Sequence, residues 1–178
     1  MSELRTECLL LRHWRDADRD AWAALNADPE VRRYFPNVLD RAAADAEADR
    51  HAERLERRGW GLWAVEVVDG DPFIGFIGLN EARVEAPFNP SVEIGWRLAR
   101  SSWGRGYAPE GARAVLAHAF GVLGLDEVVS FTAVGNSPSR RVMEKIGMTR
   151  DPDEDFDHPN VPEGHPLRRH VLYRIRSE

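Results

Sequence analysis

Cysteine is almost absent from the 178-residue chain: only Cys8 is present, inside the alternating stretch "ECLLLRHW". One thiol excludes a disulfide within the chain and any metal site built from several cysteines. With no recognisable histidine partner nearby, Cys8 reads as a small buried hydrophobe and not as a nucleophile. Long apolar runs are also missing, none approaching the ~20 residues that span a bilayer. The opening "MSELRTECLLLRHW" lacks the basic-then-apolar order of a secretory signal, so a cytoplasmic location without a membrane partner is expected. Excess positive charge is lacking too. A net charge of -6 argues against nucleic acid as the main ligand and is compatible with a cationic substrate. Repeats and low-complexity linkers are absent, and one domain over 1–178 is expected.

What is present reads as ordinary globular sequence, 43% hydrophobic and 30% charged, enough to bury a core without staples. Residues 5–12 predict a first strand, and Asp16 a cap for a helix through "DADRDAWAALNAD". A short helical turn is expected after Asp28-Pro29. Asp40 opens "RAAADAEADRHAERLERRG", whose Ala44, Ala48, Ala52 and Leu55 recur at helical spacing before Gly59. "WGLWAVEVV", "DGDP" and "FIGFIGLN" predict an antiparallel hairpin, and "SVEIGWRLA" a further strand.

A helix follows, with Ala108, Ala112, Val115, Leu116, Ala119, Phe120 and Leu123 on one apolar stripe. "DEVVSFTAV" predicts a strand, "GNSPSRRVMEKIGM" a short helix capped by Asn136 or Ser137, and "RHVLYRIR" a final strand. The acidic, proline-rich stretch 151–167 reads as a long loop over the domain. The order is strand, two helices, three strands, helix, strand, helix, strand, which argues α+β with a mixed, mostly antiparallel sheet of about six to seven strands.

Between the third of the consecutive strands and the apolar helix lies "SSWGRGYAPEGARAVLAHAF". A glycine turn there aims backbone N–H groups at one point, at the positive end of the helix dipole, and so suits an anion. Gly104 and Gly106 permit positive φ and close approach, and Arg105 can add a charge-assisted contact or point to solvent. No Lys-Ser or Lys-Thr follows, which excludes a P-loop. The dinucleotide fingerprint lacks its third glycine, although Asp126 and Glu127 lie about 20 residues on, as a nicotinamide-dependent oxidoreductase would require.

"VEIGWRLA", "WGRGYAPEGARAVLAHAF" and "NSPSRRVMEKIGM", in this order and at these separations, resemble the core of the GNAT acetyltransferases. More narrowly they resemble the Rim-type branch that includes ribosomal-protein N-terminal acetyltransferases. The resemblance implies a GNAT fold and transfer of acetyl from acetyl-CoA, a co-substrate, to a primary amine, without metal. In the family the loop pattern is [Gln/Arg]-x-x-Gly-x-[Gly/Ala]. Here Trp103 stands where Gln or Arg is usual, followed by Gly104, Arg105, Gly106, Tyr107 and Ala108, whose amides the resemblance assigns to the pyrophosphate. It assigns backbone groups of Trp96, Arg97 and Leu98 to the pantetheine arm, with Gly95 consistent with a bulge or close approach.

An alkylamine of pKa ~10 is mostly protonated at neutral pH, so a general base is needed. Glu93 is the candidate: alternation sets Val92, Ile94, Trp96 and Leu98 on one face and Glu93 on the other, either solvent-facing or aimed into a cleft. By resemblance Ser139 supports the departing thiolate and Asn136 bonds the cofactor arm; alternatively both only satisfy a helix N-terminus. His158, His165 and His170 with Asp155 and Asp157 have metal-ligand chemistry but no compact spacing, and the loop carrying them is expected to wall the acceptor pocket. Trp14, Trp60 and Trp63 read as core or pocket lining. The acceptor is a small-molecule amine or a protein N-terminus, and the assembly a monomer or homodimer. A CoA-binding regulatory domain without turnover, or a user of a longer acyl-CoA, would carry the same glycine loop.

Overall fold

The computed structural model describes residues 3–177. Strands are β1 (Leu4–Arg5), β2 (Leu9–Arg12), β3 (Leu62–Val67), β4 (Gly75–Glu81), β5 (Val92–Leu98), β6 (Glu127–Ala133), β7 (Thr149–Arg150), β8 (Phe156–Asp157) and β9 (Arg169–Arg176). Helices are α1 (Arg19–Ala27), α2 (Arg41–Arg58), α3 (Tyr107–Gly121) and α4 (Ser137–Lys145). The sheet runs β1-β2-β3-β4-β5-β6-β9-β7, with β8 also on β9. Its pairings are antiparallel except between β5 and β6, where a parallel bridge joins Glu93 to Val129.

Several ends follow their residues. Asp40 accepts the Ala43 N–H and so caps α2, and Gly59 at φ 75° closes it. On α3, Ala112, Val115, Leu116 and Ala119 are buried, and Ala108, Phe120 and Leu123 pack at the edge of the same cluster. Adjacent residues on β4 point to opposite faces. Ile77 thus joins the α3-side core with Leu9, Trp63 and Ile94, whereas Phe76 joins Trp22, Leu25, Ala44 and Ala48 beneath α1 and α2. Arg12, fully buried, makes paired hydrogen bonds of 2.9 Å to Asp18 and one of 2.7 Å to Glu66, locking the entry to α1.

Three local expectations are corrected. Residues 5–12 are not one strand: β1 and β2 form a hairpin, because Glu110 of α3 accepts the Thr6 hydroxyl at 2.6 Å and the Cys8 N–H at 2.8 Å and fixes a turn between them. Asp16 does not cap α1. It opens a 3-10 turn (Asp16–Asp18), and the carboxylate of Asp18 accepts the Arg15 N–H instead. Stretch 151–167 is not wholly loop, since β8 pairs Phe156 with His170.

Gly78 sits where β4 passes under Gly61; a Cβ there would lie 2.1 Å from the Gly61 carbonyl oxygen. Backbone cannot yield as a side-chain tip can. Gly78→Ala is expected to cost about 3 kcal/mol, read as a lower denaturant midpoint at unchanged slope. An unchanged midpoint would show that the β3–β4 crossing has slack.

Candidate active site

The glycine turn is built from its dihedrals. Gly104 has φ 74° and Gly106 φ 84°, conformations that disfavour other residues, and a Cβ at either would meet nothing within 4 Å. The space beside both is therefore open. Among the described residues, the N–H groups of Gly104, Arg105, Gly106, Tyr107 and Ala108 have no acceptor. The next residue, Pro109, has no N–H, and Glu110 N–H bonds back to Gly106 at 3.1 Å. Five successive unsatisfied donors at the start of a 15-residue helix are an arrangement that can receive an anion. Its chemistry fits a pyrophosphate. Trp103, the departure from the usual loop pattern, is exposed and donates its indole N–H to the Leu98 carbonyl at 2.9 Å, tying the turn to the end of β5.

The sheet opens beside this turn. β5 and β6 touch at Glu93 and Val129, and Ser130 Oγ donates to the Ile94 carbonyl at 2.9 Å. Ile94 therefore turns its carbonyl toward β6, and by strand alternation Trp96 and Leu98 turn their peptide groups the same way, into a gap where β6 is no longer paired. Arg97 is a correction. Its peptide groups face β4, as Ala99 N–H does in bonding to Ile74, so they are not available to a ligand in the gap. Its side chain lies under α1 and α2, with Nη1 at 2.8 Å from both Asn26 Oδ1 and Glu47 Oε2 and the guanidinium over Trp22, Phe35 and Phe76. The leucine carbonyl is also taken, by Trp103. What remains open on that edge is Trp96 and the Leu98 N–H.

Glu93 faces away from Ile94, as alternation predicts, on the same side as Val129 and its β4 partner Asn80. Its half-buried carboxyl has no hydrogen bond or ion pair among the described residues, and desolvation pushes its pKa up to about 8. β4 and β5 pair without slippage from Val92 to Leu98, so Gly95 marks no bulge there. A Cβ on it would meet nothing within 4 Å, so no close approach by the chain explains it either.

At α4, Asn136 is the cap: Oδ1 accepts the Ser139 N–H at 3.3 Å, and Nδ2 donates to Thr132 Oγ1 at 2.9 Å. The helix N-terminus is thus served by Asn136, which leaves the half-buried Ser139 hydroxyl without a partner among the described residues.

On the Glu93 side of β6, Phe131 packs with Phe88, Phe156, His158 and His170, and the two imidazole centroids lie 4.9 Å apart. Burial lowers the pKa of both histidines. His165 stands apart, accepting Leu167 N–H within its own turn. No group of three or more His, Cys, Asp or Glu among the described residues is arranged to hold a metal. Trp63 is core, Trp14 packs on Trp22 at 5.2 Å, and Trp60 lines a recess beside Asn80.

Sequence reasoning missed Tyr34 and Phe88. Tyr34 comes from the turn after Asp28-Pro29 and lies 3.9 Å from where a Gly135 Cβ would stand, next to the α4 cap. The signal was an aromatic in each of two proline-bearing loops, "VRRYFPN" and "EAPFNP", where no periodicity assigns a direction.

Residues 9–149 match the family model described as "Acetyltransferase (GNAT) domain". A Bacillus subtilis (strain 168) protein named "Uncharacterized protein YkkB" is 32% identical over 83% of this chain and 85% of its own. From the same organism, "Uncharacterized N-acetyltransferase YnaD" is 29% identical over 98% of this chain and 97% of its own. The solved acetyltransferase from Agrobacterium tumefaciens str. C58 superposes with a TM-score of 0.78 at 30% identity, covering 99% of this chain and 95% of that one. Family, fold and the donor-lined turn coincide: the chain belongs to the GNAT acetyltransferases and is an acetyl-CoA-dependent N-acetyltransferase.

Proposed function

We propose that this enzyme transfers acetyl directly from acetyl-CoA to a primary amine, on the Rim-type pattern. Residues 1–178 act as one catalytic unit, in the cytoplasm, as a monomer or homodimer. The observation that carries the reading is the run of five N–H groups without acceptors, Gly104 to Ala108, at the head of α3. These amides take the pyrophosphate, with Arg105 at the rim. The open peptide groups of Trp96 and Leu98 take the pantetheine arm as an added strand would, and the second amide hydrogen of Asn136 is free to join them.

The amine nitrogen attacks the thioester carbonyl carbon. The amine reacts in its neutral form, and Glu93, directly or through a water, takes the N–H proton as the C–N bond forms. Collapse of the tetrahedral intermediate breaks the C–S bond, and the thiolate takes a proton from the Ser139 hydroxyl, which solvent restores. The products are the N-acetyl amine and free CoA.

A thiol of pKa ~8.5 leaves with little assistance, so Ser139→Ala is expected to lower kcat only about tenfold with the KM for acetyl-CoA little changed. An unaltered kcat would remove Ser139 from the chemistry. The reading as a whole is tested by following thiol release and product mass with acetyl-CoA and a panel of N-terminal peptides, polyamines, amino acids and amino-antibiotics. CoA binding without thiol release from any amine would make the protein a binding module.

A further inference from the structure

The same sheet face that carries Glu93 continues into a recess under the C-terminal half of α2. There His51, Arg54, Arg58, Trp60 and Asn80 line a space bordered by Gly61 and Leu62. Its charge is one-sided. Arg58 is offset by Glu81 at 2.9 Å and Arg57 lies 3.9 Å from Glu53, but Arg50, Arg54 and Arg83 have no acidic partner among the described residues. Burial and these neighbouring arginines hold the Arg54 pKa below its usual value. His51 is only 9% exposed, and neither ring nitrogen has a hydrogen-bond partner among the described residues. Burial depresses its pKa to about 4, so it is neutral at physiological pH and can donate one N–H. The Asn80 amide is also without a partner among the described residues. In a chain of net charge -6, one recess thus gathers the unpaired Arg54 guanidinium with the unsatisfied donors of His51 and Asn80, and the exposed Arg50 and Arg83 add positive potential around Arg54.

Position links the recess to the chemistry. Asn80 and Glu93 are register partners on the same face, which sets their Cβ atoms ~5 Å apart. A molecule whose amine reaches Glu93 can place a second group at the open mouth of the recess, against Arg54 and Asn80. A cationic second group, as on a polyamine, would meet Arg54 and its neighbours as like charge. An oxyanion would instead supply Arg54 with its missing counter-ion in a geometry the guanidinium fork matches.

We propose that the recess under α2 binds a carboxylate or phosphate carried by the acceptor, so that the substrate is an anionic amine of the amino-acid or aminoalkyl-phosphate class. This rests on the acetyltransferase reading of Glu93. It also reverses, locally, the expectation of a cationic substrate drawn from net charge.

The test compares amines matched except for that group: free α- and ω-amino acids, their carboxamides, 2-aminoethyl phosphate, ethanolamine and butane-1,4-diamine, each with acetyl-CoA. Anionic members are expected to exceed their neutral counterparts in kcat/KM by about ten- to a hundredfold. Arg54→Gln should abolish most of that margin while leaving the KM for acetyl-CoA unchanged. The amino acids and 2-aminoethyl phosphate separate carboxylate from phosphate recognition. Equal rates for acid and amide, preference for the diamine, or a margin that survives Arg54→Gln would each overturn the proposal with acetyl transfer intact. A second readout does not need turnover: the His51 and Arg54 side-chain resonances of labelled protein are titrated with the same acids and amides. Shifts with acids alone and no thiol release would keep the recess and defeat Glu93 as base, whereas no shift with any acid and no anionic preference would dispose of the recess.

Discussion

Glu93→Gln is expected to lower kcat/KM about 10²–10⁴-fold, the range for loss of a general base, while raising the melting temperature at pH 8. The two effects share one cause. Glu93 has no counter-charge among the described residues, and burial raises its carboxyl from 4.5 to about 8. Unfolded chains therefore lose this proton first, and folding stability falls as pH climbs from about 4.5 to about 8. Glutamine never ionises and escapes that loss. The gain should reach a few degrees at pH 8 for a chain of this size and vanish near pH 4.5. Activity runs the other way, because the base form dominates only above about 8. With an amine of pKa ~10, log kcat/KM should rise with slope two below pH 8 and slope one above it. The glutamine variant should show slope one throughout. A wild-type profile with slope one across the whole range would mean that no enzyme group titrates there and that Glu93 is not the base.

Gly106→Val should weaken acetyl-CoA binding by about 100-fold or more, the equivalent of one or two charge-assisted hydrogen bonds. A β-branched residue at φ 84° carries strain of roughly 1–3 kcal/mol. Relief of that strain turns the Tyr107 and Ala108 amides away from their common point, and the added methyl groups occupy the open space an anion would fill. Calorimetry measures the affinity. Because nothing lies within 4 Å of a Cβ at this position, the variant should still fold, without the backbone clash that destabilises Gly78→Ala. Retained affinity in a folded Gly106→Val would place the pyrophosphate elsewhere.

Where residues act on near neighbours, the sequence was readable. Asp40 and Gly59 bound α2, the Ala112, Val115, Leu116 and Ala119 stripe seats α3, and alternation alone gave the facing of Glu93. Where the partner is far along the chain, it was not. The turn that splits β1 from β2 depends on Glu110, 104 residues from Thr6. β8 has two residues and exists because β9 offers its edge. The side of the sheet to which each peptide group of Trp96, Arg97 and Leu98 points follows from pairing with β4 and β6, which spacing does not encode. For the same reason Asn136 and Ser139 could be separated into cap and free hydroxyl only once the helix end was in view. The recess under α2 needed helix and hairpin together.

Glu110 ties the amino-terminal hairpin to the proposed cofactor site. It lies in the first turn of α3, whose opening amides line that site, and grips Thr6 and Cys8 with the same carboxylate. Burial alone would raise its pKa, but the hydrogen bonds from Thr6 and Cys8 outweigh this and hold it below 4.5. The clasp is therefore at full strength at neutral pH and is released as pH falls below 4.5. Acid should then loosen the first strands and the head of the cofactor helix as one unit, visible as a joint loss of amide-exchange protection around Leu9 and along the first turns of α3.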